Sequence, residues 1–177
     1  MDTWKSVDQE GNLAFVRGCR LVHEYTGDPE FLQLLEYGAG YEYLWRYSYA
    51  SRPEYPPLKD SGWISCGGSV TSVSNPHIHP MGLLIDNDLK YLAKATHDDY
   101  HARRAEDSLA WAMQTLELYP DTTGFGRYGI LSERWCPSDG LTEERYSDQT
   151  PSSTWFSHNL WASANAMEAF CDELLQK

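Results

Sequence analysis

The sequence predicts an all-α fold, a single domain over residues 1–177 built of antiparallel helical hairpins with long loops on one face. Three observations predict it. Apolar residues recur at helical spacing in five stretches. Tight turns join those stretches in pairs, and two long, aromatic-rich polar loops, Tyr47–His77 and Pro120–Ser152, separate the pairs. Structureless connections beyond about 15 residues are usually functional or disordered. A disordered linker would not hold Trp63 and Trp135, so both loops read as ordered and site-building.

The first helix, Gly11–Tyr25, carries Leu13, Ala14, Phe15 and Val16 in succession, then Cys19, Val22 and Tyr25. Being apolar nearly all round, it is expected to be buried on more than one side. Gly27 suits a left-handed C-terminal cap, Asp28 an N-cap, and Pro29 the first position of a second helix, Pro29–Tyr47. Phe31, Leu34, Leu35, Gly38, Tyr41 and Trp45 share one face of that helix. A third helix, Pro80–Thr96, follows the first loop through Met81, Leu84, Ile85, Leu89 and Leu92, with Asp86 and Asp88 read as solvated or capping. A turn at His97–Asp99 leads to a fourth, Tyr100–Tyr119, ended by Pro120. The fifth, Ser153–Leu175, follows the second loop.

Antiparallel neighbours joined this way put the tight turns at one end and the long loops at the other. Both loops are therefore expected to converge on one rim beside the starts of helices three and five. His97, His101, Asp98 and Asp99 fall at the opposite end. Helical hairpins bury their faces only by stacking on neighbours, so five helices make a marginal array.

Composition narrows the partners. Net charge is −12 and the pI near 4.8. Without a basic patch to displace counterions, nucleic acid and anionic membrane surfaces are excluded as partners. No run of about 18 apolar residues spans a membrane, and Met1 to Glu10 do not form a signal peptide. Cys19, Cys66, Cys136 and Cys171 are scattered, as expected of buried thiols in a reducing, cytoplasmic compartment. Aromatics reach 14%, with 7 Trp and 12 Tyr, and such rings line sugar-binding clefts as well as cores.

The run Leu13-Ala14-Phe15 … Tyr25-Thr26-Gly27-Asp28-Pro29-Glu30-Phe31-Leu32 resembles an inner-to-outer helix hairpin of the six-hairpin glycosidases, the (α/α) toroid enzymes. Asn75-Pro76-His77-Ile78-His79-Pro80-Met81-Gly82, opening the next helix, resembles a segment of the same enzymes. The resemblance implies a partial (α/α) toroid and a saccharide ligand. Five helices do not close a six-hairpin ring, so a homo-oligomer or a missing remainder of the toroid is expected to complete it.

Glycoside hydrolysis usually uses two carboxyl groups facing a sugar, one with a raised pKa. Glu133 and Asp139 flank Trp135 in the second loop, where an indole could desolvate a carboxylate. They are the candidate catalytic pair. A loop salt bridge of Glu133 with Arg134 or Arg127, and a plain turn at Asp139-Gly140, are the structural alternatives. His77 and His79 are the candidate substrate anchors, with helix capping as the alternative. As a metal pair they lack further ligands at recognisable spacing, so neither a metal nor any other cofactor is expected. Trp63, Trp135 and Tyr146 are candidate stacking surfaces, against packing beneath the loops. The tyrosines from Tyr41 to Tyr49 read as an interface. Ser65-Cys66-Gly67-Gly68-Ser69 reads as a flexible turn, since it lacks the lysine of a phosphate loop. The functional expectation is a carbohydrate-active, glycoside hydrolase-like protein. The alternative is a non-catalytic helical-repeat protein that binds a glycan or a protein partner.

Overall fold

A computed structural model describes residues 8–70, 77–114, 116, 131–137, 148–158 and 160–175, excluding the side chains of 154–158 and 172–175. The described chain is mostly helical, in the order α1 (Gln9–Thr26), α2 (Pro29–Tyr43), α3 (Asp86–Thr96), α4 (Asp99–Gln114), β1 (Ser132–Cys136), β2 (Thr154–His158) and α5 (Leu160–Leu175), with a 3-10 helix Met81–Ile85 leading into α3.

The first hairpin forms for the reasons its turn residues supply. Asp8 caps α1 by accepting from the Gly11 N–H, and Gly27 closes it at φ +70°, donating to the His23 carbonyl. Asp28 then accepts from the Glu30 N–H, and Pro29 opens α2. Between the helices, Leu13, Val16 and Cys19 of α1 share a core with Leu35 and Ala39 of α2. Each fully buried aliphatic side chain there contributes about 1.5–3 kcal/mol over its exposed state. Phe15, Leu21, Val22 and Tyr25 remain exposed. One stripe of α1 is thus buried, where its all-round apolarity suggested more.

α3 runs beside α1 in the same direction, because successive contacts advance together. Arg17 donates to the Leu84 carbonyl, Arg20 Nε meets Asp88 Oδ1 at 2.5 Å, and His23 Nδ1 meets the Tyr91 hydroxyl at 2.7 Å. Asp88 is 1% exposed and Asp86 equally buried, which corrects the expectation of solvated carboxylates. Arg17 also pairs with Glu168, tying α5 to this layer. The tight turns after α1 and α3 share one end, since Glu24 and His97 line the same cavity there. No described helix is long and apolar enough to cross a membrane.

Several stretches depart from the expected helices: α4 ends at Gln114, with Leu116 bridged to Leu131 where helix was expected to Tyr119, and the expected start of helix three is the 3-10 turn Met81–Ile85. Residues 154–158, assigned to the start of helix five, form β2, which pairs antiparallel with β1 through Ser132↔His158, Arg134↔Phe156 and Cys136↔Thr154. The run Thr154-Trp155-Phe156 is β-branched and aromatic, a composition that favours a pleated surface once a partner strand is adjacent. α2 also ends at Tyr43, so the residues from Tyr47 to Tyr49 are extended rather than helical.

Beyond α2 the first loop folds into extended segments that continue this sheet. The Tyr47 N–H donates to the Gly68 carbonyl and the Gly67 N–H to the Tyr47 carbonyl, both at 2.9 Å. Ser69 exchanges backbone bonds with His79, and Ile78 exchanges them with Trp135. Five segments thus lie side by side in the order 45–51, 65–70, 78–79, β1 and β2. Ile78 and Trp135 of these segments share a core with Leu58 and Trp63 of the first loop and Trp111 of α4.

Candidate functional site

The pairing of Ile78 with Trp135 brings the two long loops together. Its backbone bonds are 2.8 and 2.9 Å long, and a second tie lies farther along, where the Ser153 N–H donates to the Pro56 carbonyl at 3.0 Å. The convergence of the loops is thereby present among the described residues, achieved through backbone pairing.

The candidate stacking surfaces are corrected by burial. Trp63 and Trp135 are 2% and 0% exposed. Trp111 meets them edge-on, with ring centroids 6.0 and 4.8 Å away respectively. With that much ring area to remove from water, packing inward outweighs keeping a face open for a sugar. Trp135 therefore offers no stacking face, while Trp63, though it lines a cleft, keeps almost no exposed surface. Tyr146 and Asp139 lie outside the described residues.

That cleft has a volume of about 270 Å³ and opens at the sheet end nearest the loops. Tyr47, Tyr49, Arg52 and Ser65 line it from the first loop, Pro137 from the second, with Ile78 and Trp63 at its base. Its walls are held by the backbone. Ser65 donates its N–H to the Ser51 carbonyl at 3.0 Å and its Oγ to the Tyr49 carbonyl at 2.7 Å, while its Oγ accepts from the Ser51 N–H at 2.9 Å. The Tyr47 and Tyr49 rings meet edge to face at 5.7 Å, and Tyr49 is 61% exposed. Burial, with the Tyr49 hydroxyl adding to it, raises the Tyr47 pKa.

His77, His79 and Glu133 gather beside the cleft rather than within it. His79 is buried, and the Glu133 backbone carbonyl accepts a hydrogen bond from its ring. Burial, followed by His77 and the Arg134 guanidinium, lowers the His79 pKa to about 4, so its imidazole is neutral at pH 7. His77 and Glu133 are half-buried. Glu133 precedes Pro137 by four residues of extended chain, roughly 13 Å at strand rise. Glu133 is not among the described residues lining the cleft, although its carbonyl meets His79 beside Ile78. His158, expected inside helix five, ends β2 instead.

Cys66 is half-buried, with Arg104 Nη2 at 4.0 Å from its Sγ, and Cys171 is exposed, so only Cys19 and Cys136 meet the expectation of burial. Among the described residues no disulfide forms and no three His, Cys, Asp or Glu side chains come together as a metal site.

Tyr47, Tyr49 and Arg52 were not singled out as site residues from the sequence. The signal that could have found them is the i, i+2 spacing of Tyr47 and Tyr49, which places two rings on one side of an extended segment. No family model matches this sequence, and no curated protein or solved structure matches it.

Proposed function

We propose that the chain is a carbohydrate-active protein that receives a saccharide on its loop face. The single observation that carries this reading is the cleft in which Tyr47 and Tyr49 stand with Ser65 and Arg52 at the junction of the two long loops. Such sites pair apolar ring faces with a few fixed polar groups. In the glycoside hydrolase-like form of the proposal, one sugar ring occupies the cleft and the glycan continues along β1. Glu133 and Asp139 act as the carboxyl pair, His77 helps hold the substrate's hydroxyl groups, and His79 fixes the backbone beneath Glu133. The proposal includes kinship with a partial (α/α) toroid, which the antiparallel helical hairpins support.

A second reading, glycan binding without hydrolysis, is favoured by the absence of Glu133 from the described lining of the cleft. Turnover of aryl-glycosides and oligosaccharides by the wild type and Glu133→Gln separates the two. The hydrolase form expects the variant to lose at least about a hundredfold in rate, the usual scale of a general acid. Equal rates would remove Glu133 from the chemistry. Saturation-transfer NMR on the same sugars without turnover would leave binding alone.

A further inference from the structure

We infer that the cleft selects a sugar bearing a carboxylate, a uronic acid, with Arg52 as the group that receives it. The inference rests on the saccharide reading and adds the substrate's charge.

Among the described residues that line the cleft, Arg52 is the one that carries a charge, and none is Asp or Glu. In a chain with 26 acidic and 14 basic residues, a described lining with one guanidinium and no carboxylate is locally inverted in sign. The root of Arg52 is fixed on both sides. Ser51 before it exchanges hydrogen bonds with Ser65 through its N–H and its carbonyl, and Pro53 after it is buried. A residue preceding proline is held in extended backbone. The head of the side chain is by contrast uncommitted: among the described residues it makes no hydrogen bond or ion pair. Arg17, Arg20, Arg46 and Arg104 are all engaged by carboxylates.

A planar fork of donors matches a carboxylate in two parallel hydrogen bonds, a geometry an ammonium cannot copy. Tyr49, exposed and edge-on to Tyr47, offers the apolar face on which the ring's C–H groups would rest. The cleft lies just below the volume range of drug-sized pockets, so it suits one ring carrying its own acid group.

Paired ligands test this. Methyl glucuronide against methyl glucoside, and methyl galacturonide against methyl galactoside, are titrated by calorimetry and NMR into the full chain at low and high salt. The expected result is a preference for the acid member of at least one pair by roughly tenfold, the scale of one charge-assisted hydrogen bond, shrinking as salt rises. Arg52→Gln should erase the preference while leaving the weaker binding of the neutral sugar. Arg52→Lys should restore part of it, and Tyr49→Ala should weaken both members alike. Equal affinities within each pair in the wild type would overturn the inference and leave the saccharide reading standing. A preference that survives Arg52→Gln would overturn the role of Arg52. Tighter binding of glucose 6-phosphate than of the uronides would replace the carboxylate by a phosphate, against the inference. No binding of either member by a folded wild type would overturn both readings.

Discussion

Arg46 reaches back one helical turn to Glu42, with Nε 3.2 Å from Oε1, and the two side chains are 1% and 0% exposed. The guanidinium also donates to the carbonyls of Gly82 and Arg104 and to Ser108 Oγ, so one buried cation joins the end of α2 to the 3-10 helix and α4. Gln9 donates to Glu42 from α1 at 2.6 Å. Burial raises the Glu42 pKa, and the charge of Arg46 opposes that rise. Arg46→Met is expected to lower stability by about 3–5 kcal/mol, because it leaves a buried charge unpaired. Arg46→Met/Glu42→Gln should recover more than half of the loss. Urea unfolding of the three proteins checks both, and an additive double variant would contradict the pairing.

His79 predicts a pH dependence. Its folded pKa is about 4 against an ordinary 6.5. Between those values the unfolded chain holds a proton that the folded chain does not, so stability rises with pH through that window. The contribution is complete above about 6.5 and is lost as pH falls toward 4, amounting to about 3 kcal/mol. His101 is shifted in the same direction by its own burial, and Glu42 in the opposite sense. The difference between wild type and His79→Gln isolates the His79 part. Parallel curves from pH 7 to pH 4 would refute it.

Trp111 stands between Trp63 and Trp135, and its indole N–H has no acceptor among the described residues. Trp111→Ala should cost about 3–5 kcal/mol through the cavity it opens. Trp111→Phe keeps most of the ring and removes an unpaired buried donor, so a change within about 1.5 kcal/mol is expected. Thermal denaturation monitored by near-ultraviolet circular dichroism measures both. A Phe variant as damaged as the Ala variant would show that the indole N–H is satisfied.

Two glycines with positive φ should differ sharply. Gly27 caps α1 at φ +70° with open space around its missing side chain, so Gly27→Ala carries only the left-handed backbone cost, about 1–2 kcal/mol. Gly67 sits at φ +94° with the Asp107 backbone pressed against it, leaving no room for a methyl group. Gly67→Ala should therefore be the worse of the two by several kcal/mol, and a reversed order in chemical denaturation would contradict the packing of residues 65–70 on α4.

The hairpins were legible because their signals are local. Gly27, Asp28 and Pro29 each act through their own backbone position, and the structure uses each as its chemistry suggests. Asp98 likewise accepts from the Tyr100 N–H at the entry to α4. The extended segments were not legible, because Ile78 and Trp135 belong together only through a partner 57 residues away. Helical spacing in 153–175 hid the short strand at its start for the same reason. Burial of charge was also out of reach. Asp88 reads as a surface residue until Arg20, 68 residues before it, arrives at hydrogen-bonding distance. Within the candidate site, His79 lies next to Ile78 of the cleft, while Trp63 and Trp135 take the alternative role of packing beneath the loops. The sequence marks an indole as costly to leave in water without saying which surface will cover it.

The segment 77–79 is gripped along both edges, by Ser69 on one side and Trp135 on the other. Under the proposed saccharide binding, a segment stapled in this way would meet its guest already shaped. Docking then forfeits little chain freedom, and nearly all of the contact energy remains available as affinity. On that proposal, free and occupied forms of the chain would superimpose closely along these segments, and association would proceed without a slow rearrangement.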